Sequence, residues 1–386
     1  MSLLFIYTSI NYAHAEERQI INANVGHYPS STLSVSFEDV EIHGNYAFVS
    51  DFNLPGLRVI SLTDPSNPSL VAEETIAGSG SYEIEIANNI AYLRVKENQG
   101  FDIEYFNIST PSTPVYEGLL ELNHTSGFDA FETTLFVNND TDIISFNFTD
   151  IDNPVELDRL DLNGSGQFLT YIENYTYTCT SDHQLIIVNA TDPSDLTLVS
   201  STSLGNFTAH SFLIDGDTLY VSGLDSTKTV LPERAHRAYI IAIDISNKSD
   251  PTPFSEIYID GIDGVGLALL ENTLFAGACA EGIKVVDITN PSSLRSLGYY
   301  DDYQDLYCDG GADHALYPKL FDGGTYGNLL VFVSMGCGLN VISVDGLEFE
   351  FSIPGFDIYF LILSAMIGLS FLYIKLRKRL NSLKSI

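Results

Sequence analysis

The 386-residue chain has no tryptophan, three methionines, four cysteines and only 17 basic residues. Four cysteines cannot supply a disulfide framework for a domain of this size, though they leave room for a single bridge. Set against 51 Asp and Glu, the few Lys and Arg leave a formal charge of −34. Such a field repels nucleic acid and anionic lipid, and it draws cations or basic partners. Catalytic signatures are also missing: there is no H-E-x-x-H, G-x-S-x-G, Walker loop or Cys-x-x-Cys. "DGIDG" (260–264) and "DGD" (215–217) read as turns and not as EF-hand loops. A hydrophobic content of 45% excludes a disordered acidic chain and supplies a core.

The scarce basic residues are unevenly placed. Five of the 17 (Lys375, Arg377, Lys378, Arg379 and Lys384) follow residue 374, so 12 basic residues face 50 acidic ones over 16–355, a formal −38. Directly before them, "IYFLILSAMIGLSFLYI" (358–374) holds 17 uncharged residues, about 25 Å of helix at ~1.5 Å per residue. The expectation is one C-terminal transmembrane helix, with an anchor over 354–374 and a basic cytoplasmic tail over 375–386. At the other end, "MSLLFIYTSINYAHA" closes on Ala13-His14-Ala15, the small-x-small pattern of a signal peptide over 1–15, without the usual basic start. Residues 16–353 are then an extracellular domain. Nine Asn-x-Ser/Thr sequons agree with export: Asn107, Asn123, Asn139, Asn147, Asn163, Asn174, Asn189, Asn206 and Asn247. All lie outside the expected span.

A repeat organises the middle of the chain. "TDPSNP" (63–68) returns as "STPSTP" (109–114), "TDIDNP" (149–154), "TDPSDL" (191–196), "KSDPTP" (248–253) and "TNPSSL" (289–294). The last residues of these segments are 46, 40, 42, 57 and 41 apart, and "LNVISVDG" (339–346) is a seventh copy without the full turn. Upstream of the turns stand paired strand runs joined by Asn, Asp or Gly, such as "VEIHGNYAFV" (40–49) and "IEIANNIAYL" (84–93). Those residues tolerate positive φ and close hairpins. Four short strands in about forty residues is the size of a propeller blade. The expected fold is all-β, a seven-bladed β-propeller, with six or eight blades as alternatives and a β-sandwich pair as the runner-up. Ring closure calls for a strand from "RQIINANV" (18–25) or from "LEFEFSI" (347–353), and the N-terminal segment is preferred because it locks both chain ends.

The best copies, "GLRVISLTDPSNP" (56–68) and "GIKVVDITNPSS" (282–293), resemble the LVIVD-repeat family of bacterial and archaeal surface proteins, over about residues 35–350. The resemblance implies a propeller and brings no enzymatic activity with it. The anchor begins "IPGF" (353–356) and resembles the PGF-type sorting tails of archaeal surface proteins, although no Thr-rich stalk precedes it. Where the repeat has Asp at the end of its third strand, this chain has Asp244 and Asp287, but Ser61, Asn107, Asn147 and Asn189 elsewhere. The three Asn create sequons on consecutive blades. They suggest a row of glycans on one face, or simple replacement of Asp as a turn acceptor.

Two candidate sites follow. First strands line a propeller's channel, and near their starts stand Asp39, Glu83, Asp129 and Asp313, with His210 and His314 close by and Phe168 and Gly266 interrupting. Converging carboxylates suit Ca²⁺ or another hard cation; alternatively they cap strands and tie neighbouring blades together. The second site is the insertion "LDSTKTVLPERAHR" (224–237), with Lys228, Arg234, His236 and Arg237, which shares a face with the acidic connection 300–314. Cys308 is positioned to bridge to Cys279 or Cys337. The expected function is a membrane-anchored surface module binding an extracellular protein or glycan, with no nucleic-acid partner. A metal-dependent hydrolase using the channel carboxylates and a structural layer component are the alternatives.

Overall fold

The computed structural model describes residues 18–21, 23–29, 36–53, 55–76, 78–97, 100–122, 124–225, 227, 238–259, 266–278, 282–300, 315–334, 338–345 and 347–351. Ile20–Glu348 form one compact unit, and Met1–Gln19 with Phe349–Ile386 a second. The expected signal peptide, anchor and tail lie outside the described residues. Among those described, no helix is long and apolar enough to cross a membrane.

Seven antiparallel sheets make seven blades, over 37–75, 81–120, 125–161, 166–203, 207–258, 267–300 and 315–343. The seventh contributes three strands of its own, and its fourth is Asn24–Pro29, paired antiparallel to Gly338–Ser343. Closure therefore does come from the N-terminus, but through 24–29, a segment starting six residues later than expected. His27 Nδ1 lies 3.0 Å from Asn340 Oδ1 on that seam. Gly26 sits so close to the first blade's turn that a Cβ would run into the carbonyl oxygen of Pro65.

Local chemistry sets each blade. The first two strands join through two-residue turns with left-handed residues, among them Gly44 at φ 59°, Asn88 at 48°, Asn89 at 61°, Asn174 at 70° and Gly216 at 57°. Second and third strands are buried on both sides, because apolar side chains from both faces meet a neighbouring blade. The core is thus a set of layers between blades. Val40, Val49 and Ile60 of blade one pack on Val331, Val333 and Leu339 of blade seven, and Phe48 and Val59 pack on Ile84, Leu93 and Phe106 of blade two.

The repeated turn has one geometry in six blades. The residue ending the third strand accepts a hydrogen bond from the N–H two positions on: Ser61 from Thr63 (3.3 Å), Asn107 from Ser109 (3.0 Å), Asn147 from Thr149 (2.7 Å), Asn189 from Thr191 (3.0 Å), Asp244 from Ser246 (2.9 Å) and Asp287 from Thr289 (2.9 Å). A second such turn follows three residues later, for instance at Asp64 and Asp192. This register corrects the fifth unit, whose turn ends at Pro251 and not at Pro253, since Asp244 pairs with Thr252 as Ser61 pairs with Ser69. The turns also fasten blades together. Ser145 Oγ donates to the carbonyl of Pro193 (2.6 Å) and Ser255 Oγ to that of Pro291 (2.5 Å), each reaching into the following blade's turn.

Candidate functional site in the central channel

Hairpin register fixes which inner-strand residues are equivalent. Val40 pairs with Val49, Ile84 with Leu93 and Phe128 with Val137, each four places from its tight turn. Asp39 and Glu83 therefore occupy one level of the channel, and Glu41, Glu85 and Asp129 the next. Phe168, Ser211 and Gly266 continue the first level; Thr170, Leu213 and Ala268 continue the second. The expected ring is a sector: its carboxylates come from blades one to three. His210 is the extra residue of a bulge between Ala209 and Ser211, one place ahead of that level. Asp313 and His314 lie outside the described residues.

Asp39, Glu83, Asp129 and His210 nevertheless border one cavity of about 200 Å³ on the channel axis, together with Glu85 and Lys319. Most of the carboxylates are tied into the ring. Asp39 accepts from the N–H of Val40 (2.8 Å) and from that of Ile84 in the next blade (3.1 Å). Asp129 repeats the pattern with Ala130 (2.6 Å) and with Tyr171 in the next blade (2.7 Å). Glu83 accepts from the N–H of Phe128 and from Arg94 Nε at 3.1 Å. Each thus latches the inner strand of the blade that follows it. Glu41 reaches the other way, pairing with Lys319 of blade seven.

Burial sets the electrostatics. Removal from water pushes Asp39 up to about 8, with Glu41 adding to the rise and Lys319 opposing it. Burial likewise brings Asp129 to about 7 against its backbone hydrogen bonds, and Glu38 to about 7 with help from Asp51. Glu85 is raised well above the carboxylate range, by burial first and then by Glu41 and Asp129. Burial alone would lower Lys319, but Glu41, Glu85 and Asp39 hold its ammonium above the usual lysine value.

Beside the carboxylate sector, the guanidinium carbon of Arg94 lies 5.6 Å from the Tyr82 ring centroid and 4.9 Å from that of Phe101. Across the channel Phe168 and His210 face each other at 5.2 Å, tilted by 51°. Among the described residues no three His, Cys, Asp or Glu side chains gather as a metal ion needs. Of the candidate ligands for a hard cation, Asp39 and Asp129 accept from backbone N–H groups and Glu83 from a backbone N–H and from Arg94, the strand-tying role that the sequence offered as the alternative.

Sequence reading missed Glu41, Glu85, Arg94 and Lys319. The i, i+2 pairs in "EDVEI" (38–42) and "YEIEI" (82–86) signal the two glutamates, because alternate residues share a strand face. Nothing in the repeat points to Lys319, whose strand falls outside the repeat's regular spacing. The other expected positions are dispersed. Lys228, Arg234, His236, Arg237, Cys279, Cys308, Cys337 and Asn123 lie outside the described residues. Cys179 is a buried free thiol that burial pushes up to about 11. By strand alternation, Asn107, Asn147, Asn174, Asn189 and Asn247 stand on the face of the repeated turns, while Asn139, Asn163 and Asn206 stand on the opposite one. The sequons therefore do not leave one face bare.

A family model of the LVIVD repeat matches residues 36–74, 164–203, 235–258 and 266–302, so the repeat is present in blades one, four, five and six. No curated protein matches the chain. Among solved structures, a functionally unknown protein from Desulfotomaculum acetoxidans aligns with a TM-score of 0.55 at 15% identity, over 68% of this chain and 84% of that one. Sqt1 of Saccharomyces cerevisiae aligns at 0.58 and 7% identity, over 83% and 98%. A putative 6-phosphogluconolactonase from Bacteroides uniformis aligns at 0.57 and 12%, over 74% and 97%. These likenesses show the propeller fold and nothing about activity.

Proposed function

We infer that this LVIVD-repeat propeller is a membrane-anchored binding module of the cell surface, engaging an extracellular polypeptide or glycan. The observation that carries the reading is the commitment of Asp39 and Asp129. A hydrolase would need these carboxylates free as base or nucleophile, yet each accepts two backbone N–H groups and joins two blades. What remains is a closed ring of blades presenting loops, the arrangement on which binding surfaces are usually built. The loops between second and third strands share one face with the connections between blades, and the described strand ends that flank the two long insertions, Asp225 and Ala238, Tyr300 and Ala315, stand on that face. The uncharged stretch 358–374 and its basic flank support the anchor, and the sequons support export.

Protease shaving of intact cells tests the placement: peptides from 36–345 should be released while the 375–386 tail is protected. Binding is tested with the full-length chain in detergent on a glycan array and on purified basic polypeptides. Retention should fall with salt and should be lost on replacing Lys228, Arg234 and Arg237 by alanine for an acidic partner, or be unchanged for a basic one. A chain that is retained by nothing in either panel would sink the reading.

A further inference from the structure

Five carboxylates, Asp39, Glu41, Glu83, Glu85 and Asp129, are in electrostatic contact with one ammonium, that of Lys319, and all but Glu41 line the axial cavity. Four of them have a partner. Glu41 has Lys319, Glu83 has Arg94 and the N–H of Phe128, and Asp39 and Asp129 have the backbone N–H groups of their own and the next blade. Glu85 differs: no described residue donates a hydrogen bond to it, and it lines the cavity with Asp129 while Glu41 acts on it from nearby.

We propose that the channel binds a small organic cation, a primary ammonium on a short hydroxylated skeleton, with Glu85 as its anchoring carboxylate. Three properties select this class. The negative charge is spread over a cavity of about 200 Å³ instead of converging. Among the described residues no group of three metal-type ligands exists, whereas Ca²⁺ takes about six to eight oxygens. An ammonium, with three N–H donors, uses separated acceptors well.

The opposite wall fits the rest of such a molecule. Thr170 and Ser211 bring hydroxyls, and Phe168 brings an aromatic ring beside the His210 imidazole, 5.2 Å away. The ring offers a face to a cation or to a carbon skeleton. At about 30 Å³ per liquid water, the space equals roughly six or seven waters, which suits a ligand the size of ethanolamine or 3-amino-1-propanol.

Proton balance gives the proposal its signature. Burial and its acidic neighbours push Glu85 up, so the empty channel favours its protonated form more than water does. An arriving ammonium pairs with the carboxylate, so the carboxyl proton leaves to solvent as the cation binds. The site is independent of the cell-surface reading: it concerns the channel and not the loop face, and it stands or falls separately.

The test is titration calorimetry of the full-length chain with ethanolamine and with 3-amino-1-propanol, in two buffers of different ionisation enthalpy. One site per chain is expected, with proton release that makes the heats buffer-dependent. Glu85→Gln should weaken binding at least tenfold while keeping or raising the thermal midpoint, which shows that the fold persists. Thr170→Val should weaken it less. Saturable binding that is unchanged in Glu85→Gln, no saturable heat with either amine, or equal binding by Ca²⁺ alone would each overturn the proposal.

Discussion

Lys319 of the last blade forms an ion pair with Glu41 of the first, across the seam where the ring shuts. The side chains are 30% and 16% exposed, so the pair is partly dry and its charges are weakly screened. The contact also brings a cation against Asp39, Glu41 and Glu85.

Replacing Lys319 by methionine should therefore cost more than a surface pair would. A fully buried pair loses about 3–5 kcal/mol when one partner is removed, and partial exposure brings the expectation here to about 2 kcal/mol. Urea unfolding should show it as a lowered midpoint at unchanged slope. The loss should shrink on acidification, as the orphaned carboxylates take up protons.

Stability should rise as pH falls from about 8 toward about 4. Asp39 (about 8), Glu104 (about 8), Asp129 (about 7) and Glu38 (about 7) hold protons in the folded chain that the unfolded chain has already released. Their contribution is full below the ordinary carboxylate pKa and disappears as pH rises through these values. Below about 4 the trend should reverse, because hydrogen bonds hold Asp64, Asp192, Asp244 and Asp287 low on the surface. Thermal midpoints across this range check the sign, and Asp39→Asn should flatten the upper part.

Gly26→Ala should open the seam. The added methyl meets the backbone carbonyl of Pro65, which cannot swing away as a side chain would. Overpacking typically costs about 1–3 kcal/mol, and here the strain falls on the closing strand. Hydrogen exchange should quicken at Asn24–Pro29 and Gly338–Ser343 before it quickens in blades three to five.

Ser145→Ala should cost about 1 kcal/mol, because Ser145 is fully buried and the carbonyl of Pro193 loses its donor. A second serine makes the same link at Ser255 and Pro291, so the double variant should lose about twice as much, the sites being two blades apart along the chain.

The ruler formed by the repeated turn was legible in the sequence because its physics is local. An Asx or Ser side chain and a nearby proline determine the turn whatever the neighbours do, and the seven blades followed from counting it. The fifth unit slipped by two because "KSDPTP" offers prolines at 251 and 253, and only strand pairing separates them. The channel was legible in part. Asp39 and Glu83 stood at equivalent places, but Asp129 lies two residues further along and His210 sits in a bulge, an offset that no spacing rule registers. Lys319 was invisible for a different reason: its partner Glu41 is 278 residues away, and only a closed ring brings the two together.

The closing strand also has a consequence in time. His27 meets Asn340 across a separation of 313 residues. At about 5–20 residues per second, synthesis takes roughly 15–60 s to supply that partner. Throughout, Asn24–Pro29 is an unpaired edge and blade one lacks the neighbour that covers Val40, Val49 and Ile60. Blades two to five can dock in order as they emerge, but the ring has no closed state until its last strand exists. Folding of this chain is therefore gated by its end, and a stalled or truncated product exposes the segment most able to pair with another chain.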